Sequence, residues 1–364
     1  MNSNNKLSNR KSNFELLRII AMLLIIMGHI SGQAFDSTRI TESGKIFVTI
    51  MGSGSRIAVN LFLMIGIWFM VDAEFRVEQI LKLYGGLWFY SVSITLILIC
   101  FGFDIGTKDI ISCFFPYLRC WMWFVPLYIS LLLLSPFLKK AFDHLNKGAL
   151  RLLLGLGFFL ICVVSTVSKF MDTKLCALLW FIYMYYTIGY YKKFVAGEIK
   201  KTKRFLLFGV LIYSILIISG IICSRLSGEI FNYGRRIVSQ YLSDYKSIPN
   251  FMCALCIFVF FSKLDIGSSS IINGISKNTL DVYMIHQQTP FYPILWTVVC
   301  RSHSWQSSKY FCFVFLGVTI AVYIVFSLIG RIRVRFIEPF WVKSKLFDKI
   351  STLIKKAYGS ILST

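Results

Sequence analysis

Residues 14–34 read FELLRIIAMLLIIMGHISGQA, an apolar stretch that is long enough to cross a bilayer and that also holds Arg18 and His29. Insertion scales charge about 2.5–3.5 kcal/mol for an arginine at membrane depth, so such a residue usually faces a protein interior or a wet cavity. Eleven helical residues return to within about 20° of the starting direction, which puts both side chains on one helix face, about 16 Å apart. This spacing indicates a path for an anionic reagent.

The rest of the chain has the composition of a membrane protein. Of its 364 residues, 56% are hydrophobic and only 15% are charged, and the mean hydropathy is +0.68, which excludes an ordinary soluble domain. Apolar runs of membrane-crossing length recur, and we predict ten spans: roughly 14–34, 55–73, 80–102, 121–138, 150–168, 175–191, 205–224, 247–262, 276–300 and 309–330. Since a backbone in lipid must satisfy its own hydrogen bonds and no barrel-like alternation is present, we predict an all-α, polytopic transmembrane helical bundle.

The distribution of basic residues predicts the orientation. An even number of spans places both termini on the same side of the membrane. The N-terminus, the even-numbered loops and the C-terminal tail hold most of the lysines and arginines, so both termini are predicted to be cytoplasmic. The net charge of +22 then reflects orientation and contact with anionic membrane lipid. Nucleic-acid binding is not favoured, because the charges are scattered over many loops and no reader motif occurs.

The C-terminal residues form a separate pattern. Apolar side chains recur there at helical spacing opposite a row of lysines; the apolar set is Leu346, Phe347, Ile350, Leu353, Ile354 and Ile361, and the basic set is Lys345, Lys349, Lys355 and Lys356. This pattern predicts an amphipathic helix in the inner headgroup layer. We divide the chain accordingly into a membrane domain, residues 1–335, and a basic amphipathic cytoplasmic tail, residues 336–364.

Two of the four histidines lie within predicted spans, His29 in the first and His286 in the ninth. A neutral imidazole can accept a proton from a hydroxyl, which suits a general base, whereas a hydrogen bond between helices is the structural alternative. Glu15 lies three residues before Arg18 and can pair with it, either to neutralise the guanidinium or to aim it. The cysteine spacing does not indicate a metal site.

Four blocks around these residues resemble the membrane acyltransferase 3 family, bacterial proteins that O-acylate surface carbohydrates. They are LLRIIAMLLIIMGH with its Arg-x10-His spacing, RIAVNLFLMIGIWF at 56–69, WFVPLYISLLLLSP from Trp123 to Pro136, and ISKNTLDVYMIHQ at 275–287. The four occur in order, and the resemblance covers about residues 10–335. It implies a bacterial cytoplasmic membrane protein that transfers an acyl group, usually acetyl, from acetyl-CoA to a carbohydrate acceptor.

The resemblance also implies roles for individual residues. His29 would be the catalytic base, and Arg18 would hold or orient the anionic donor with its planar, fixed donor groups. The family often opens its third span with Arg-x-x-Arg; here that stretch is Gln79 to Lys82, so Lys82 is a donor-binding candidate that offers a point charge only. His286 and Trp123 are candidates for binding the acceptor, with packing roles as their alternatives.

Two other functions share these features. A transporter or flippase for a polysaccharide precursor would use buried His and Arg as substrate or ion sites, but the inverted repeats and matched broken helices of many transporters are not evident in the sequence. A glycan polymerase would need large charged outer loops, for which the loop with Arg235 and Arg236 is a weak candidate. We therefore expect an acyltransferase and not a transporter or a polymerase.

Overall fold

The computed structural model describes residues 11–36, 38–118, 122–167, 174–225 and 244–362. The secondary structure in these ranges is helical, without a β-strand. In chain order the helices are α1 Asn13–Gln33, α2 Glu42–Met70, α3 Val77–Cys100, α4 Thr107–Cys113, α5 Phe124–His144, α6 Lys147–Gly157, α7 Lys174–Tyr190, α8 Lys203–Arg225, α9 Ile248–Lys263, α10 Ser270–Ser276, α11 Thr279–His286, α12 Phe291–Ile294, α13 Ser302–Trp305, α14 Phe311–Ile332, α15 Glu338–Val342 and α16 Lys345–Leu362. Several of them continue directly into π-helical turns, as α14 does through Arg333–Ile337. Helix α6 continues through the turn Phe158–Val163 into a short α-helical piece, Val164–Val167.

Seven helices in the described residues are long and apolar enough to cross a membrane. They are α1, α2, α3, α5, the extended α6 (Lys147–Thr166), the main part of α8 (Lys203–Ile222) and the stretch Phe311–Val342 that begins with α14. Each overlaps one of the ten predicted spans, although α2 begins before its predicted bound and the last stretch runs past its own. The protein is therefore a multi-pass, helical membrane protein.

The other three predicted spans differ from simple long helices. The sixth corresponds to α7, with 17 residues, and the eighth to α9, with 16. The ninth, predicted as one helix over 276–300, is divided into α11 and α12 around Pro290. Proline has no backbone N–H to donate and clashes with the preceding turn, so it ends a helix here.

The start of α2 corrects a second expectation. The second span is predicted to begin at residue 55, which leaves most of the glycine and serine stretch 52–55 outside it, but α2 already begins at Glu42 and runs through that stretch. The small size of its glycines and serines serves packing instead: a Cβ on Gly52 would lie 2.9 Å from the Cβ of Ser31 on α1, and a Cβ on Gly28 would overlap the side chain of Ser55. Small residues of this kind let membrane helices approach closely.

This close approach makes Gly28→Ala a destabilising change. Inserting a methyl group into a filled contact typically costs about 1–3 kcal/mol. The atoms in the way are the Cβ and Oγ of Ser55, so Ser55→Gly should remove the clash. We expect Gly28→Ala to lower the thermal unfolding midpoint in detergent and the double variant to recover most of it. Gly32→Ala is the matched control, since a Cβ on Gly32 meets no atom of the described residues within 4 Å; equal losses for both glycines would contradict the packing explanation.

The described residues form two compact units. Unit 1 comprises Met1–Phe69, Asn146–Lys277 and Arg301–Ile320. Within it, α1 is attached at its N-terminal end to α9 and α10. Asn13 Nδ2 donates to the carbonyl of Phe261 at 2.8 Å, and Ser12 Oγ donates to Asn273 Oδ1 at 2.9 Å.

Unit 2 comprises Met70–Leu145, Asn278–Cys300 and Ala321–Thr364. Its interior contains a charged cluster: Arg333 Nε donates to Asp281 Oδ1 at 2.9 Å, Arg333 Nη1 to Glu338 Oε2 at 3.1 Å, and the Tyr90 hydroxyl to the same Asp281 oxygen at 2.8 Å. Arg333 and Asp281 are both buried. Each charge in this cluster therefore has an opposite partner, which such burial requires.

The last helix, α16, belongs to unit 2. Phe347 is buried against Val77 and Leu81 of α3, and the hydroxyl of Tyr358 donates to the carbonyl of Leu133 at 3.0 Å. Leu353 remains 59% exposed. One apolar part of α16 thus packs on protein, while its placement in a headgroup layer stays a prediction.

Candidate functional site

Arg18 lies in the second turn of α1, where it pairs with the carboxylate of Glu15. Its Nη1 donates to Glu15 Oε2 at 2.5 Å, and the same oxygen accepts from Ser276 Oγ of α10 at 2.5 Å. The Arg18 side chain keeps 22% of its surface exposed, against 5% for Glu15. The predicted Glu15–Arg18 pair is therefore present, with the carboxylate buried and the guanidinium accessible.

Arg18 also borders a cavity of about 600 Å³ in unit 1. Its lining combines two cations, one carboxylate, two small polar side chains and three aromatic rings: Lys11, Arg18, Glu15, Asn13, Ser262, Phe14, Trp68 and Phe69. The first residues of α1 form part of the wall, and unpaired N–H groups and the helix dipole make such an end favourable for anions. A cavity of this size fits a small organic ligand.

The aromatic wall of this cavity is itself packed in place. The centroid of the Phe14 ring lies 5.3 Å from that of Trp68 and 5.7 Å from that of Phe69. Phe14 also stacks on Phe258, with the ring centroids 5.5 Å apart. Rings held in this way offer a flat, rigid surface to a planar group. No sequence pattern indicates this wall, because its members look like ordinary apolar residues of separate spans.

His29 lies on the same helix eleven residues after Arg18. Helix α1 runs unbroken from Asn13 to Gln33, so the spacing of about 16 Å along one face holds. The side chain of His29 is half-buried and is not among the residues that line the Arg18 cavity. It follows Gly28 directly, at the level where α1 and α2 touch. The imidazole thus lies outside the cavity. A ligand held at Arg18 must be long enough to extend along α1 to reach it.

The two predicted acceptor-binding residues meet in one aromatic cluster of unit 2. Trp123 packs on Phe124 at 6.0 Å, Phe124 on Tyr283 at 5.9 Å, and Tyr283 on His286 at 5.8 Å, all edge to face. His286 is fully buried. Trp123 and His286 therefore both take part in packing, and their role in binding the acceptor stays a prediction.

The tautomer of His286 follows from its hydrogen bond. Its Nδ1 lies 2.6 Å from the carbonyl oxygen of Val282. A carbonyl only accepts, so Nδ1 carries a proton, and in the neutral ring Nε2 carries the lone pair. Nε2 is therefore the basic atom of this ring.

Lys82, the donor-binding candidate of α3, is not among the lining residues of the Arg18 cavity. Its Nζ lies 3.9 Å from Glu338 Oε1, and its side chain is 44% exposed. Glu338 and Arg333 border a second cavity, of about 500 Å³, whose wall is otherwise almost wholly apolar and aromatic, including Tyr84, Trp88, Phe89, Phe340 and Trp341. The role of Lys82 stays a prediction.

Within the described residues, no group of three or more His, Cys, Asp or Glu is placed to hold a metal ion. Arg235 and Arg236, the candidates for a polymerase, lie outside the described residues. The roles of Arg18 with its cavity and of His29 on the same helix stay predictions.

Comparison with known proteins places the chain in a family. No curated protein and no solved structure matches it significantly. A family model described as an acyltransferase domain, that of the acyltransferase 3 family, matches residues 11–329. The match includes both Arg18 and His29 and runs through α14 almost to its end. The chain belongs to the acyltransferase 3 family of membrane acyltransferases.

Proposed function

We propose that the protein is an integral membrane O-acyltransferase that moves an acetyl group from acetyl-CoA to a hydroxyl of a cell-surface or lipid-linked glycan. The observation that carries the proposal is the position of Arg18. Its guanidinium borders an aromatic-walled cavity of about 600 Å³ on the same helix that carries His29. An anionic donor held there would extend along α1 toward the imidazole.

The chemistry of the cavity suits a CoA ester. Phosphates match Lys11 and especially the planar fork of Arg18, and the rings around Phe14 offer a stacking surface for adenine. The adjacent Glu15 fixes the guanidinium and prevents it from swinging away. With the N-terminus in the cytoplasm, as the charge distribution predicts, this cavity would open toward the cytosolic pool of donor.

In the transfer step, His29 acts as general base. As it removes the proton from the acceptor hydroxyl, the oxygen attacks the thioester carbonyl, a C–O bond forms and the C–S bond breaks. The CoA thiolate leaves and takes up a proton, which the imidazolium can return. Such proton transfer in the transition state typically contributes about 10²–10⁴-fold. The products are an acetyl ester on the glycan and free CoA.

Arg18→Lys tests the donor site. A lysine retains the charge but loses the bidentate fork, and a hydrogen bond to a charged group is worth about 1.5–3 kcal/mol. We therefore expect the KM for acetyl-CoA to rise about 10-fold or more, measured in purified, detergent-solubilised protein. Arg204→Lys is the control, because Arg204 is exposed at the start of α8 and should leave KM unchanged. An unaltered KM for Arg18→Lys would remove Arg18 from the donor site.

Mass spectrometry of surface glycans tests the whole proposal. Cells with the intact chain should carry glycans heavier by one acetyl group than cells with His29→Ala. Among the described residues, the broken segment between α11 and α12 favours a transporter, since transporters place substrates at such breaks. Unchanged acetylation of the glycans combined with altered glycan export would show that the protein is a transporter and not an acyltransferase.

A further inference from the structure

Arg56 of α2 carries a charge that no hydrogen bond engages. It lies within one of the long apolar helices and is exposed. In the part of the chain that the structure describes, its guanidinium makes no hydrogen bond and no ion pair, and Asp244 attracts it electrostatically without such a contact. An arginine in a membrane helix usually faces a protein interior or a wet cavity, since facing lipid is costly. The five N–H donors of Arg56 are thus available to a ligand.

Asp244 does not neutralise Arg56, because other groups already hold its carboxylate. Its Oδ1 accepts from the backbone N–H of Lys246 at 2.8 Å, and its Oδ2 lies 3.6 Å from the Nζ of the same lysine, whose side chain is only 3% exposed. The segment is fixed on α2, where Asn60 Nδ2 donates to the carbonyl of Tyr245 at 2.7 Å. Asn60 lies four residues after Arg56, on the same face of the helix. Among the described residues, this cluster therefore has two cations for one carboxylate.

Arg56 and His29 project from the same side of the α1–α2 pair. Gly28 of α1 lies against Ser55 of α2, and the next contact further along α1 is with an earlier residue of α2, so the two helices run antiparallel. In an antiparallel pair of right-handed helices, the residue that follows each contact residue turns by about 100° to the same side. His29 follows Gly28, and Arg56 follows Ser55. Their Cα atoms are offset along the helix axes by only about 3 Å, so one ligand can contact both side chains.

We propose that Arg56 binds a negatively charged group of the acceptor, a carboxylate or a phosphate, and that the acceptor is therefore an acidic glycan. This rests on the proposed function, in which His29 takes the proton from the acceptor hydroxyl. The planar fork of a guanidinium matches the paired oxygens of either anion, whereas a neutral sugar offers no charge to the cluster. The bonds that form and break are those of the proposed transfer. Arg56 holds the acceptor so that its hydroxyl reaches His29.

The first arm of the test identifies the acceptor. Surface and lipid-linked glycans from cells with the intact chain and from cells with His29→Ala are fragmented and compared by tandem mass spectrometry. We expect the acetyl group that depends on His29 to lie on a sugar that carries an anionic group, or on the sugar directly linked to it. A fragment with a uronic acid identifies a carboxylate as the anion, and a fragment with phosphorus identifies a phosphate. Arg56 is unchanged in this arm, so misfolding of an Arg56 variant cannot affect it.

The second arm changes the arginine. The glycan found in the first arm is deacetylated with mild base and offered to purified protein in detergent. Arg56→Gln should raise the KM for this glycan about 10-fold or more, while the KM for acetyl-CoA and the thermal unfolding midpoint stay unchanged. Arg56→Lys, which retains the charge, should recover part of the loss. Arg39→Gln is the matched control: Arg39 is also exposed, but it pairs with Asp36 beyond the end of α1, so its loss should leave both KM values unchanged.

Three results overturn the proposal. The first is a His29-dependent acetyl group on a glycan that has neither a carboxylate nor a phosphate. The second is an unaltered KM for the acidic glycan in Arg56→Gln. The third is a lower unfolding midpoint of that variant with an equal rise in both KM values, which would make Arg56 a structural residue. All three leave the acyltransferase standing, whereas identical glycans from intact and His29→Ala cells would remove the proposed function together with this inference.

Discussion

His29→Ala is expected to lower acyl transfer by about 10²–10⁴-fold while the protein still folds and binds acetyl-CoA. The expectation follows from the role of a general base, whose removal costs the proton transfer in the transition state and little else. His29 is half-buried and is not part of the donor cavity, so donor affinity should persist. The measurement is release of CoA and acylation of glycan by purified protein, with donor binding followed separately.

The matched control is His144→Ala. His144 is an exposed histidine at the end of α5, with its Nδ1 2.8 Å from the carbonyl of Lys140, and its loss should leave transfer unchanged. If His29→Ala retained full transfer, the histidine would be a packing residue between helices and the base would have to be sought elsewhere. A His29→Ala variant that binds no donor and unfolds at a lower temperature would also show that His29 has a structural role.

Asp281→Ala is expected to destabilise the protein by about 3 kcal/mol. Removing one partner of a buried ion pair leaves an uncompensated charge, which typically costs about 3–5 kcal/mol; we expect the lower end because Glu338 still accepts from Arg333 at 3.1 Å. Arg333 and Asp281 have only 9% and 8% of their side-chain surfaces exposed, so water cannot replace the lost carboxylate. The free energy of unfolding in detergent, from denaturant titration, measures the effect.

Two controls separate charge from hydrogen bonding in this cluster. Tyr90→Phe removes only the bond from the hydroxyl to Asp281 Oδ1 and should cost about 1 kcal/mol. Replacing both charges, as Asp281→Leu with Arg333→Met, should recover much of the loss, since apolar pairs often substitute for buried ion pairs. A double variant as unstable as Asp281→Ala would show that the pair contributes more than charge balance.

The fold was predictable where the bilayer itself sets the requirement. Seven predicted spans coincide with long apolar helices because crossing the hydrocarbon layer demands a minimum apolar length that is visible in the sequence. The errors arose from glycine, serine and proline. Gly52 and its neighbours indicate turns in soluble proteins, whereas here they bring α2 against Ser31 of α1. Pro290 lies inside the predicted ninth span, and the helices α11 and α12 lie on either side of it.

The candidate site was predictable only along a single helix. The spacing of Arg18 and His29 follows from helix geometry, and so does the pairing of Glu15 with Arg18. The cavity does not, because its wall is assembled from Lys11 to Arg18, from Trp68 and from Ser262, which are far apart in the sequence. The bond that orients Asn13 reaches a carbonyl 248 residues away. Such contacts depend on how separate helices pack, and local patterns do not encode them.

The two units are interleaved along the chain, and this has a consequence for biosynthesis. Unit 2 takes its first segment from Met70–Leu145 and its last from Ala321–Thr364, and the aromatic ring of Phe347 completes the core begun by Val77. Since chains emerge from the ribosome N-terminus first, Val77 of α3 is made 270 residues before its partner Phe347. Final assembly of unit 2 therefore waits until α16 has been made, and stop codons within α16 should yield proteins that insert but are cleared by quality control.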